Sequence, residues 1–313
     1  LVGLIGAIIR LINIPAIIIT LILAGGLLYN KKIKWFQNII NSILRNESEE
    51  KILWKNVAAE FPLNVNFGSN QYIDLISKFK NIKIDFNIIT LKRNEPRKKK
   101  LLIADMDSTI ITSETLDDFA KLIGKEKEIK KITDDAMNGK IDFINSVTKR
   151  VEILSGINIK YLDIIKNKIN YSLGAKELIS TMNKNKSICA LCTGGFHYIA
   201  NKVKTDLGFK YLQANTLEIK NDIITGKLLK PIFNENSKLE FLKYLSKKYN
   251  VSKNETCAIG DGANDIKVIK NASLGASYRG KEILNKQAKI IIKHSDLTAL
   301  LFLQGFTKDE IIN

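Results

Sequence analysis

Residues 101–110 read Leu101-Leu102-Ile103-Ala104-Asp105-Met106-Asp107-Ser108-Thr109-Ile110, and they decide the fold. An apolar run stopped by a carboxylate has the pattern of a buried parallel strand ending in a polar loop. Two later runs repeat it. Ile188 to Cys192 stops at Thr193-Gly194-Gly195-Phe196, and Thr256 to Ile259 stops at Gly260-Asp261-Gly262-Ala263-Asn264-Asp265. Each loop leads toward a helical pattern, as with Tyr198, Ile199, Val203 and Leu207 after the second. Strands alternating with helices predict an α/β sheet. Ligands of such sheets sit beyond the carboxyl ends of the strands, so the three loops are expected to meet at one edge.

The stretch from Thr112 to Lys186 is far longer than one crossover helix requires. Leu116, Phe119, Ala120 and Ile123, then Ile141, Ile144, Val147 and Val151, carry helical spacing there. A helical cap at about 112–186, inserted in a domain spanning 97–313, is the expectation. Upstream lies the linker Asn94 to Lys100, and before it a small α/β module over 36–96. Its helix is expected around Tyr72, Leu75, Ile76 and Phe79, and its strand around Ile82, Ile84, Phe86 and Ile88.

Leu1 to Tyr29 is almost wholly apolar, broken by Arg10, Asn13 and Pro15. A membrane helix needs about 20 apolar residues, and Leu11 to Tyr29 approaches that. Lys31, Lys32 and Lys34 follow, which would leave the rest on the cytoplasmic side. The segment 1–35 is therefore expected to hold an apolar helix, either a membrane tether or an artefact of the chain start at Leu1.

The 313 residues are 45% hydrophobic and 26% charged, which excludes collagenous and disordered classes. Three cysteines make no disulfide framework, so a reducing, cytoplasmic setting is expected. Cys189 and Cys192 have CxxC spacing, but positions three apart on a strand face opposite ways, so they read as small buried hydrophobes. With only two histidines, any metal must be held by carboxylates. The net charge of +17 comes almost wholly from lysine, whereas a nucleic-acid groove wants arginine forks and interleaved aromatics. No nucleic-acid partner is expected.

Two carboxylates at a buried strand end are costly unless a cation or a reaction uses them. Asp105 has the chemistry of a nucleophile able to form an aspartyl phosphate, and Asp107 that of the acid and base beside it. Asp261, Asp105 and the backbone carbonyl of Asp107 make an oxygen-only set that suits magnesium. Thr193 and the glycine amides at a helix start form a phosphate cradle, and Lys238 would add a positive charge.

DMDSTIITSE, TGGF, the downstream Lys238 and GDGANDI together resemble the motifs of the haloacid dehalogenase-like hydrolases. More narrowly they resemble the bacterial branch that hydrolyses phosphoserine, over about 99–306. Ala136 to Lys140, Phe143, Ser146 and Lys149 to Val151 match the cap signature of that branch. The resemblance implies a Rossmann-like parallel sheet with a helical cap. It implies magnesium at Asp105, Asp107 and Asp261, and a catalytic pair Asp105 and Asp107. It implies that Thr193, Gly194, Lys238 and Asn264 hold the phosphoryl group. Glu114 would face the substrate's ammonium and Arg150 its carboxylate, with Met137 and Phe143 lining the cap. The expected reaction is hydrolysis of L-phosphoserine, the last step of serine synthesis. The rivals are another small phosphate ester, phosphoryl transfer to homoserine, or an inactive membrane-tethered scaffold.

Overall fold

The structure is a computed structural model that describes residues 16–23, 38, 51–55, 57–63, 84–91, 95–137, 140–234 and 236–312. Strands β1 (Ala16–Leu23), β2 (Lys51–Trp54), β3 (Ala58–Leu63) and β4 (Ile84–Leu91) form an antiparallel sheet in the order β2-β3-β1-β4. This corrects the expected N-terminal helix. The stretch AIIITLIL is rich in β-branched residues, which fit a pleated sheet better than a helix. A continuous apolar run cannot be told from a helix by periodicity alone, and here it is the strand paired on both sides.

The sheet therefore begins upstream of residue 36, where the module was expected to start. Among the described residues no helix is long and apolar enough to cross a membrane. Residues 1–15 and 24–29 of the apolar segment, and the helix expected from Tyr72 to Phe79, lie outside the described residues.

The second sheet has seven strands in the order β11-β10-β9-β5-β6-β7-β8. They are β5 (Leu101–Ala104), β6 (Ile188–Phe196), β7 (Tyr211–Lys220), β8 (Ile223–Leu229), β9 (Thr256–Gly260), β10 (Leu274–Tyr278) and β11 (Ile290–Ile292). All neighbours are parallel except β7 and β8. From β5 the chain runs outward through β6 and β7 on one side. It then returns to β9 and continues through β10 and β11 on the other. The point where that order reverses is where open α/β sheets bind ligands.

Among the described residues four α-helices lie between β5 and Asn170: α1 (Thr115–Leu122), α2 (Glu126–Met137), α3 (Phe143–Glu152) and α4 (Lys160–Asn167). The chain leaves and re-enters the core side by side, through Thr112 N to Asn170 O at 2.9 Å and Ser172 N to Ile110 O at 2.9 Å. After this base, α5 (Ala175–Lys184) packs on β6, as does α6 (His197–Leu207). The opposite face of the sheet carries α7 (Ser237–Tyr249), α8 (Ile266–Asn271) and α9 (Glu282–Asn285), and α10 (Ala299–Leu303) packs against β1.

Strand alternation divides the core. Leu102 and Ala104 face one hydrophobic cluster, Leu101 and Ile103 the other. Cys189 and Cys192 fall into different clusters, both buried, as expected of small hydrophobes on opposite faces. Burial pushes the Cys192 thiol up to about 12, far from a reactive thiolate.

The two sheets are joined through β4. Asn87 pairs with the backbone of edge strand β11, donating to Ile291 O at 3.1 Å and accepting from Ile291 N at 2.9 Å. The buried Asp85 carboxylate accepts the N–H groups of Lys293 at 2.8 Å, His294 at 3.1 Å and Ser295 at 2.8 Å. Trp54 meets Phe302 edge-on with ring centroids 5.8 Å apart.

Candidate active site

Asp105 extends β5 by one residue, donating its N–H to Ile259 O at 3.0 Å. Asp107 is also extended, and both carboxylates line one cavity while Met106 between them is fully buried. The turn then closes through Ser108, at φ 54°, a left-handed conformation uncommon outside glycine and typical of sites where geometry is imposed.

Asp105 Oδ1 accepts from Met106 N at 2.8 Å and from Lys238 Nζ at 2.7 Å. Lys238 enters from the first turn of α7, is only 4% exposed, and lies 2.6 Å from Asp265 Oδ1. The other oxygen of Asp265 accepts from Gly262 N at 3.0 Å. Burial alone would lower the Lys238 ammonium, but the carboxylates of Asp105 and Asp265 outweigh it and hold it charged. Gly260 is required where Asp265 folds back over the strand end, because a Cβ there would stand 2.2 Å from Asp265 Cγ.

Asp107 is held at both oxygens. Oδ1 accepts from Thr115 N, the first amide of α1, at 2.9 Å, and Oδ2 accepts from the Thr193 hydroxyl at 3.2 Å. Thr193 Oγ1 in turn accepts from Gly195 N at 2.9 Å. Asn215 fixes the same end of β6, donating to Gly194 O at 2.9 Å and accepting from Phe233 N at 2.9 Å. Burial, with help from Glu114 and Asp105, raises Asp107 to about 7 against the opposing Thr115 N–H. A carboxyl poised there can both give and take a proton near neutrality.

Asp105, Asp107, Thr193 and Gly194 line a cavity of about 180 Å³ together with Glu114, Val147, Arg150, Phe196, Asp261, Asn264 and Lys281. Glu114 immediately precedes α1 and accepts from the Ser108 hydroxyl at 2.8 Å. Arg150 reaches the cavity from α3, with Nε donating to Ser146 O at 3.3 Å, and its burial lowers its pKa. Oxygens of Asp105, Asp261 and Asp265 lie within 4.8 Å of one another. Burial, then Asp105, raises Asp261 to about 6. This buried excess of carboxylate oxygens over lysine charge fits a hard divalent cation.

The structure thus brings together Asp105, Asp107, Glu114, Arg150, Thr193, Gly194, Asp261 and Asn264 around one cavity, with Lys238 behind Asp105. Met137 and Phe143 end α2 and begin α3, and their side chains lie outside the described residues. Sequence reasoning missed three residues. Asp265, which fixes Lys238, closes the GDGAND motif and was visible there as its second carboxylate. Asn215 and Lys281 carried no local signal.

A family model described as haloacid dehalogenase-like hydrolase matches residues 102–270. The chain belongs to the haloacid dehalogenase-like hydrolases. Among members of this family, the phosphoserine phosphatase of Methanocaldococcus jannaschii is 38% identical, covering 66% of this chain and 97% of its own. A haloacid dehalogenase family hydrolase from Salmonella enterica serovar Typhi superposes with a TM-score of 0.80 at 25% identity, covering 92% of this chain and 98% of that one. A solved phospho-aspartyl intermediate analogue of phosphoserine phosphatase superposes with a TM-score of 0.61 at 38% identity, covering 66% of this chain and 98% of that chain. The protein is a phosphatase of this hydrolase family.

Proposed function

We propose that this protein hydrolyses L-phosphoserine to L-serine and phosphate, with magnesium as its divalent cation, through a phosphoryl group carried on Asp105. The observation that carries the chemistry is the pair of strand-end carboxylates with opposite assignments. Asp105 is fixed at Oδ1 by Met106 N–H and the Lys238 ammonium, and Asp107 is raised to about 7. A carboxylate held by two donors beside a carboxyl raised to about 7 divides the pair into nucleophile and acid.

In the first step Asp105 Oδ2 attacks phosphorus and the bond from phosphorus to the serine oxygen breaks. Asp107 delivers its proton to that oxygen, so serine leaves neutral at the hydroxyl. In the second step Asp107, now a carboxylate, takes a proton from water. The water oxygen attacks phosphorus, and the bond to Asp105 breaks to release phosphate. Thr193 and the Gly194 amide hold phosphoryl oxygens, as does Asn264. Lys238 offsets the negative charge that develops next to Asp105. A magnesium ion held by Asp105, Asp261 and the Asp107 carbonyl would offset carboxylate–phosphate repulsion.

Glu114 and Arg150 supply opposite charges to the cavity wall, the arrangement an amino-acid zwitterion requires. Met137 and Phe143 are assigned to the apolar cap around it. Steady-state phosphate release by the full-length protein tests the reading, with L-phosphoserine set against phosphoethanolamine, which lacks the carboxylate, and against sugar phosphates. L-phosphoserine is expected to give the highest kcat/KM and to lose its turnover in chelator. Preference for a sugar phosphate would contradict the substrate while keeping the chemistry. Phosphohomoserine formed on adding homoserine would replace hydrolysis by transfer.

A further inference from the structure

Lys281 lines the cavity and belongs to none of the roles above. Its ammonium stands 3.7 Å from Asp261 Oδ2 and 3.9 Å from Glu114 Oε1, spanning the group assigned to the cation and the group assigned to the substrate's ammonium. Its backbone is fixed directly on the metal carboxylate's own residue, Lys281 N donating to Asp261 O at 2.8 Å.

The preceding turn is built to hold that contact. Arg279 adopts φ 45°, and its N–H is tied to Ile292 O at 2.7 Å. Gly280 O accepts from Asn285 Nδ2 at 2.7 Å. A Cβ on Gly280 would stand 2.1 Å from Ser277 Oγ and 3.1 Å from Asp261 O, so a side chain there would push the turn off Asp261. The result is a rigid base carrying a long, 53% exposed arm, whose charged head rests between two anions without a short bond to either.

We propose that Lys281 is a placeholder cation that tunes the affinity of the site for both of its positively charged visitors. In the resting site it neutralises the gap between Asp261 and Glu114. It yields Asp261 to the divalent cation and Glu114 to the substrate's ammonium, swinging outward on its exposed arm. This inference rests on the function proposed above and assigns a specificity-setting residue to it. Each exposed, long contact is weak, so releasing it should change an affinity by roughly two- to fivefold.

The test uses full-length wild type, Lys281→Met and Lys281→Arg, with unfolding curves to show that all three are equally folded. Magnesium chloride titrated calorimetrically into each, without substrate, reads the Asp261 contact. KM for L-phosphoserine, against the same ester with a hydroxyl in place of the ammonium, reads the Glu114 contact. Lys281→Met should tighten magnesium binding and lower KM for L-phosphoserine, each by roughly two- to fivefold, and leave the hydroxyl ester unchanged. Lys281→Arg should restore wild-type values. Unchanged or weaker magnesium binding by Lys281→Met overturns the proposal, as does an equal KM change for both esters. If wild type does not hydrolyse L-phosphoserine, the functional reading fails instead, and the calorimetry still judges the contact with Asp261.

Discussion

Replacing Lys238 with methionine keeps the side chain's length and deletes its charge. Lys238 is 4% exposed, Asp105 5% and Asp265 0%, and the ammonium stands 2.7 Å and 2.6 Å from the two carboxylates. Removing one partner of such a buried cluster costs about 3–5 kcal/mol, because the remaining charges lose their opposite charge. Protonation is the escape. Burial, then Asp105, already raises Asp265 to about 7 with the lysine in place, and without it the carboxyl rises further.

A carboxyl whose folded pKa lies above its unfolded value of about 4 stabilises the fold at low pH and loses that contribution as pH rises through the folded pKa. Below about pH 7 both proteins hold the Asp265 proton, so the deficit of the variant is smallest there. Above it, the deficit grows by up to about 1.4 kcal/mol per pH unit until the variant's own pKa is reached. Urea unfolding in chelator at about pH 6 and about pH 9 reads this difference directly. Lys238→Met with Asp265→Asn should recover most of the loss, since one of the two opposed charges is then gone. A deficit below about 1 kcal/mol at both pH values would refute the reasoning, because the cluster would then behave as an exposed pair.

Other perturbations probe the rest of the molecule. Asp85→Ala strips an acceptor from three backbone N–H groups at 293–295 and should cost about 3 kcal/mol in urea unfolding, with Asp85→Asn recovering part; no loss would mean the junction is not held there. Deleting residues 1–50 removes β1, the strand between β3 and β4, and should make the remaining module strands susceptible to limited proteolysis; unchanged resistance would contradict the pairing. Because Asp261 is raised to about 6, protons compete with the cation, and calorimetric magnesium affinity should fall as pH drops below about 6, by up to about tenfold per unit; a flat profile would exclude Asp261 as a ligand. Arg150→Ala should raise KM for L-phosphoserine by roughly ten- to a hundredfold and spare para-nitrophenyl phosphate, whereas equal losses would deny it a carboxylate-selecting role.

The catalytic edge was legible because its strands announce themselves. Leu101–Ala104, Ile188 to Cys192 and Thr256 to Ile259 are short apolar runs stopped by polar loops, and they became the adjacent strands β5, β6 and β9. Their order in the sheet was not written in any one run, since it follows from which helices pack on which face. The N-terminal stretch misled because three consecutive isoleucines satisfy the apolar requirement of a helix and of a buried strand alike. Its partners β3 and β4, distant in sequence, decided between them. Motif residues such as Asp107 and Thr193 were found together because each follows the apolar run of a strand. Lys281 and Asn215 were not, because one stands just before α9 and the other inside β7, brought to the site by the tertiary fold, and no local pattern of the sequence signals that.

The most direct test is to quench the full-length protein with acid during turnover of L-phosphoserine carrying a radiolabelled phosphate, and to map the labelled peptide. Asp107→Asn lacks both the acid of the first step and the base of the second, so it should lose turnover. The account predicts an acid-stable, base-labile acyl phosphate on the peptide containing Asp105, and no label in Asp105→Asn together with loss of phosphate release. Label on any other residue, or near-native turnover by Asp105→Asn, would contradict it.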